Sequence, residues 1–302
     1  MRMLRVIGAA VLVLAGAAGG LQAQNYDTVR IRTTPVAGRV YLLQGAGGNI
    51  GLFAGREQAL LIDDEFAPLL GRITTAVAEL TPAPIRLVFN THWHADHVGA
   101  NEGLGRAGAT LVAHENVRRR MSAPQFTSFV NRTTPAAAPG ALPVVTFADA
   151  ITFHVEGEEI VCLHVDSAHT DGDAIVRFVH ENVVDMGDLF FNGGYPFVDL
   201  SSGGTIDGMI RAADAVLAIA DSATRIIPGH GPLADRRRLA VYRDMLAAIR
   251  DEVARRVTAG ESLETVIAAH PTARFDAEWG QGWIRPAQFV EFVYRSLAPR
   301  RN

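Results

Sequence analysis

The sequence predicts an α/β protein in which two mixed sheets pack face to face with helices outside. Three observations predict it. Short apolar runs punctuated by glycine come first and then alternate with amphipathic stretches. The same order occurs twice: a strand meander, an acidic turn, a helix, a strand and a histidine-bearing turn. Hydrophobic residues make up 48% of the 302 residues and charged ones 20%, so the chain can bury a large core and does not read as disordered.

Residues 1–23 read as an export signal. Arg2 and Arg5 precede an uncharged apolar run from Val6 to Leu21, and Leu21-Gln22-Ala23 offers a small residue before a cut at Gln24. Sixteen apolar residues fall short of the ~20 that a spanning helix needs. No cysteine follows to carry a lipid, so no stable membrane anchor is expected after cleavage, and the protein should be periplasmic or secreted. Residues 24–302 read as one domain. Its first strands are Val40–Gln44, Ile50–Phe53 and Ala59–Asp63; Gly45-Ala46-Gly47-Gly48 between them reads as a mobile hairpin flap or a tight turn. Pro68 to Leu80 has helical spacing in Leu69, Leu70, Ile73, Val77 and Leu80. A buried strand, Ile85–Phe89, follows, then a helix over about Ala100–Arg106 and a strand at Thr110–Ala113. Residues 122–143, rich in proline, alanine and threonine, are too long for an ordinary connection and read as a lid or flap.

The second half supplies strands at Ile151–Val155, Ile160–Val165, Ala174–Val179 and Val183–Met186. Thr205 caps a helix with Ile206, Met209, Ile210, Ala213 and Leu217 on one face. Arg225–Ile227 is the strand before Pro228-Gly229-His230-Gly231, and residues 235–302 are expected to be mostly helical. The acidic turns of the two halves are Asp63-Asp64 and Gly187-Asp188.

All 28 basic residues are arginine, and the formal net charge is −4, or −6 once Arg2 and Arg5 are removed. An acidic chain without a basic block makes a poor nucleic-acid partner. One cysteine, Cys162, excludes an intrachain disulfide or a cysteine-rich metal site, and its apolar surroundings read as core.

Five of the ten histidines, His92, His94, His97, His169 and His230, stand at turns after strands, where a rigid element aims a loop side chain. His92-Trp93-His94-Ala95-Asp96-His97 packs three imidazoles and a carboxylate into six residues. In a continuing strand His92 and His94 would face the same way and bite one metal together, with Asp96 and His97 turned to a neighbouring point. Four polar groups so close need many partners on burial, and a metal supplies them at once. His169, His230 and Asp188 gain force from their places in the repeated plan. His114, His154, His164, His180 and His270 read as ordinary structural histidines. Asp63 or Asp64 can accept an imidazole N–H. Phe190, Phe191, Tyr195 and Phe197 line a pocket or pack the sandwich, Asn192 is an oxyanion donor or a turn residue, and Trp93 packs.

Thr91-His92-Trp93-His94-Ala95-Asp96-His97, His169-Thr170-Asp171-Gly172-Asp173, Gly187-Asp188 and Pro228-Gly229-His230-Gly231 together resemble the metallo-β-lactamase superfamily in order and spacing, over residues 30–235. The resemblance implies an αββα sandwich with a dizinc site at one edge of the paired sheets. It puts His92, His94 and His169 on one zinc and Asp96, His97 and His230 on the other, with Asp188 bridging. Iron or manganese suits the same donors. By the same resemblance the reaction is hydrolysis of an electrophilic carbonyl by a metal-bound hydroxide, with Asp96 also orienting it or relaying its proton.

The substrate expected is a small molecule with a cyclic amide or ester, β-lactams first. The stretch after Asp188, Leu189-Phe190-Phe191-Asn192-Gly193-Gly194-Tyr195, lacks the lysine or serine pair with which many lactamases hold the β-lactam carboxylate. A bridging aspartate is more like glyoxalase II thioesterases and lactonases of the superfamily, although glutathione thioesters are cytosolic. The nuclease branch has basic surfaces, and the oxygen-reducing branch carries a glutamate ligand and a flavin domain; this chain has none of these. A non-enzymatic periplasmic metal carrier is the alternative of another class. Oligomeric state is not legible.

Overall fold

The computed structural model describes residues 26–298, so the export signal expected over residues 1–23 lies outside the described residues. Within them no helix is long and apolar enough to cross a membrane. The first half opens with an antiparallel meander, β1 (Arg32–Ala37), β2 (Val40–Gln44), β3 (Ile50–Ala54) and β4 (Ala59–Ile62). Helix α1 (Leu70–Leu80) carries the chain to β5 (Ile85–Asn90), parallel to β4. Two short helices, α2 (Ala95–Val98) and α3 (Asn101–Arg106), lead to β6 (Thr110–His114) and α4 (Glu115–Met121). A separate hairpin, β7 (Gln125–Thr127) and β8 (Arg132–Thr134), lies inside residues 122–143, and β9 (Val145–Phe147) then completes a seven-stranded sheet beside β6.

The second half repeats the plan. β10 (Ala150–Val155), β11 (Glu158–Val165), β12 (Asp173–Phe178) and β13 (Val183–Asp185) form an antiparallel meander. Helix α5 (Ile206–Ile219), capped by the Thr205 hydroxyl as expected, leads to β14 (Arg225–Ile227), parallel to β13. β15 (Ala234–Asp235) closes this six-stranded sheet, and α6 (Arg236–Thr258), α7 (Leu263–Ala268), α8 (Asp276–Trp279) and α9 (Pro286–Leu297) make the helical C-terminal part.

Strand alternation builds the layers. Val40, Leu42, Phe53, Leu60, Ile62 and Phe89 meet Ile160, Cys162, Val176 and Phe178 between the sheets. Leu43, Leu52, Leu61 and Val88 face the other way, onto Ile73 and Val77 of α1 and Leu104 of α3. The outer face of the second sheet packs on α5, α6 and α9. Because both faces of the inner strands are covered, these strands read as continuous apolar runs. The architecture is the αββα sandwich.

Three sequence expectations shift. β1 is half-exposed and carries Pro35 at an irregular register, which suits an edge strand and hides it from an apolar-run search. α4 is capped by His114, whose ring accepts from the Asn116 amide in place of the usual hydroxyl or carboxylate cap. The long 122–143 segment holds the β7–β8 hairpin. Phe89, fully buried, stacks on Phe147 at 5.8 Å and meets Phe153 edge-on at 6.4 Å, linking the two sheets two residues before the site segment begins at Thr91. Phe89→Ala is expected to lower stability by about 3–5 kcal/mol, read as a lower denaturant midpoint with an unchanged slope.

Candidate metal centre

The strand expected to run through His92 and His94 stops at Asn90. The Asn90 side-chain amide donates to the His97 carbonyl and to Asn101, so the chain turns at once into α2. Both rings still converge, because His92 offers Nε2 and His94 offers Nδ1. His92, His94, His169 and Asp188 place ligand atoms within 4.8 Å of one another, and so do Asp96, His97 and His230. All seven residues singled out in the sequence thus gather in one place.

The outer nitrogens of four rings fix their tautomers. His97 Nδ1 donates to Asp63 Oδ2 at 2.7 Å, His94 Nε2 to Asp199 Oδ2 at 3.0 Å, and His169 Nδ1 to the Phe197 carbonyl at 2.8 Å. The Thr91 hydroxyl gives its hydrogen to Asp63 and lies 3.1 Å from His92 Nδ1, which must therefore be the donor. On these tautomers the inner nitrogens of His92, His94 and His169 carry lone pairs, and that of His97 faces Asp188 Oδ1. His94 Nδ1 and His169 Nε2 then face each other at 2.8 Å as two lone pairs, an arrangement that calls for a positive charge between them.

Asp188 stands between the two groups. Its Oδ2 lies 3.8 Å from His92 Nε2 and 3.4 Å from His169 Nε2; its Oδ1 lies 3.2 Å from His97 Nε2 and 3.4 Å from His230 Nε2. Asp96 Oδ2 is 3.4 Å from His230 Nε2. His92 Nε2, His97 Nε2 and Asp188 Oδ1 are buried without a hydrogen-bond partner among the described residues. Buried polar atoms left so are costly, and divalent cations on these N and O donors would satisfy all three. The residues fit such ions.

The electrostatics divide the rings: burial opposes charge on His97, but Asp188, Asp96 and Asp63 outweigh it and hold that ring well above the usual imidazole range. Burial holds His92 well below the usual imidazole range and His169 at about 4, so both are in the neutral, ligating form. Burial also opposes charge on His230, but Asp188 and Asp96 outweigh it and lift that ring to about 10. Asp188 itself is driven well down by His230 and His97 against its burial. The field at the centre favours added positive charge.

Several supports were not legible beforehand. Asp199, which positions His94, also accepts from the Ser201 and Ser202 amides and the Ser202 hydroxyl; burial would raise it, and the His94 and Ser202 bonds hold it at about 2. Asp173 accepts from the His169 and Thr170 amides and so fixes the His169 turn. Glu65 takes the Ala46 and Gly47 amides at 3.0 Å each, which makes Gly45-Ala46-Gly47-Gly48 a pinned turn instead of a free flap. Asp63 is the imidazole acceptor, while Asp64 takes the Ala100 amide. Asn192 donates to the Pro232 carbonyl and accepts from Arg238, which fixes its side chain at the cleft wall.

Asp96 and His230 open onto a cleft of about 720 Å³, walled by Phe66, Phe191, Tyr195, Phe197, Trp283 and Ile284. Phe190 instead packs against Tyr242, and Trp93 is buried beside Val98 and Val117.

A model of the metallo-beta-lactamase superfamily matches residues 43–237. A hydroxyacylglutathione hydrolase from Polaromonas sp. is 26% identical over 190 residues, which span 62% of this chain and 62% of that relative. Among solved structures, a metallo-beta-lactamase from Pontibacter korlensis superposes with a TM-score of 0.58 at 19% identity, covering 72% of this chain and 99% of its own. A double mutant of the sec-alkyl sulfatase PisA1 gives 0.65 at 18% identity, over 88% of this chain and 50% of that one. The matched span contains every residue of the two-sided cluster around Asp188, and the chain belongs to the metallo-beta-lactamase superfamily.

Proposed function

We propose that the chain is an exported dinuclear metal-dependent hydrolase that opens a small-molecule acyl bond. The observation that carries the reading is Asp188, buried and aimed with one oxygen at each of two sets of imidazole nitrogens. His92, His94 and His169 would hold one divalent ion, and Asp96, His97 and His230 a second, with zinc first and iron or manganese as alternatives. Bound there, such ions supply Lewis acidity, which lowers the pKa of a water towards ~7 and offsets charge developing on a carbonyl oxygen. The protein's own part is to orient and exclude. Asp96 is the ligand carboxylate that reaches the cleft, with its Oδ2 turned to His97 and His230. That leaves Oδ1 as the acceptor for the proton of an attacking water. The aromatic walls desolvate the reacting carbonyl.

Cyclic amides and esters are the substrates proposed, and β-lactams remain the first to assay. A second reading, a thioesterase or lactonase, is favoured by the two-sided placement of Asp188 and by the hydroxyacylglutathione hydrolase relative. Metal analysis of the purified protein, with a parallel screen of β-lactams, lactones and acyl thioesters, tests both. Two equivalents of metal and turnover abolished by chelation support the hydrolase. Metal uptake without turnover of any of the three classes would leave a metal carrier.

Asp63 orients His97 through the 2.7 Å bond to Nδ1, so Asp63→Asn is expected to weaken metal affinity by about 10–100-fold, read by chelator competition.

A further inference from the structure

We infer that the cleft selects an anionic substrate with an apolar body, and that Arg132 is the residue that reads the negative charge; the inference rests on the hydrolase reading above. Charge arithmetic comes first. Among the described residues Arg132 is the only arginine lining the cleft, and the sequence contains no lysine. The acidic residues of the lining, Asp96 and Asp188, belong to the cluster around the imidazoles.

The fold then aims that one cation. In the β7–β8 hairpin Thr127 pairs with Arg132 and Gln125 with Thr134, so strand alternation puts Thr127, Arg132 and Thr134 on one face. All three line the cleft. Among the described residues the Arg132 guanidinium has no hydrogen-bond or ion-pair partner, unlike that of Arg120 in α4, which grips Asp171 at 2.6 and 2.7 Å. A guanidinium without a partner, on the strand face it shares with Thr127 and Thr134, is a fork for a carboxylate or a sulfonate.

The rest of the cleft is apolar and runs outward from the metal ligands. His94 stacks on Phe197 at 5.7 Å, and Phe197 meets Trp283 at 5.6 Å; Trp283 is 63% exposed at the rim. On another wall His230 stacks on Phe191 at 5.1 Å. A volume of about 720 Å³ suits a drug-sized molecule. Its labile bond would lie at the imidazole end, its apolar part along the aromatic walls and its negative group on Arg132.

Two fluorescent probes test this without requiring turnover: the aromatic sulfonate 1-anilinonaphthalene-8-sulfonate and its neutral counterpart N-phenyl-1-naphthylamine. Arg132→Met is expected to weaken the anionic probe about tenfold while leaving the neutral one within about twofold, and Arg132→Lys to restore part of the loss. For a carboxylated substrate and its methyl ester, Arg132→Met should raise KM about tenfold for the acid alone, with kcat little changed. Equal loss for both probes, or no loss for either, would overturn the assignment. Charge-selective loss in a protein that hydrolyses nothing would keep the anion site and discard the hydrolase.

Discussion

Asp188→Ala is expected to reduce bound metal from two equivalents to one or none and to cut hydrolysis by at least about 10³-fold. Asp188 is the one carboxylate that faces both groups of imidazoles, within 3.8 Å of His92, His169, His97 and His230. On the dinuclear reading its removal would take an anionic donor from each side at once and would leave two cations with no negative charge between them. Loss of about 4 kcal/mol of Lewis-acid stabilisation corresponds to the stated factor. Asp188→Asn keeps the shape and one neutral oxygen donor, so it should retain more metal than the alanine variant. Elemental analysis beside steady-state kinetics reads the effect, and circular dichroism reads the fold. Both ions retained, with activity within tenfold of the parent, would remove Asp188 from the centre of the reading.

How far the sequence carried depends on how local each constraint is. His92, His94, Asp96 and His97 crowd a single turn because a metal site needs several donors on one short rigid segment, and such crowding is visible in the residues themselves. The sandwich was legible for a related reason: strands covered on both faces have to be apolar throughout, as Ile50–Ala54 and Ala59–Ile62 are. What hid was non-local or built from unusual residue types. Asp199 reaches His94 across 105 positions, and no local pattern joins them. Arg132 sits in a segment whose proline, alanine and threonine content concealed a hairpin. β1 escaped because an edge strand need not be apolar, and α4 because its cap is a histidine.

The glycines around the centre lead to the other large effect. Gly48 in the first half and Gly229 in the second stand where the two halves meet, and Asn49 joins them: its amide donates to the Gly229 carbonyl at 2.7 Å, and its side chain to the Pro228 and Gly231 carbonyls at 2.7 and 2.9 Å. The backbones approach so closely that a Cβ on Gly229 would collide with Asp188 Oδ1 and with the Gly187 backbone, while one on Gly48 would fall on the His97 ring. Neither collision has an easy escape. Asp188 is held among imidazoles, and His97 is fixed from behind by Asp63. Gly229→Ala is therefore expected to lower stability by about 1–3 kcal/mol, the ordinary cost of overpacking. Displacement of a reacting group by about 1 Å lowers the rate as well, by about 10²-fold. Gly71→Ala is the contrasting substitution, because Gly71 lies exposed in α1 with nothing within 4 Å of an added Cβ. There the better helix former should be neutral or stabilising by up to about 1 kcal/mol, with metal content and rate unchanged. If both glycine variants matched the parent in activity, the close approach of the two halves would not be what sets the geometry of the centre.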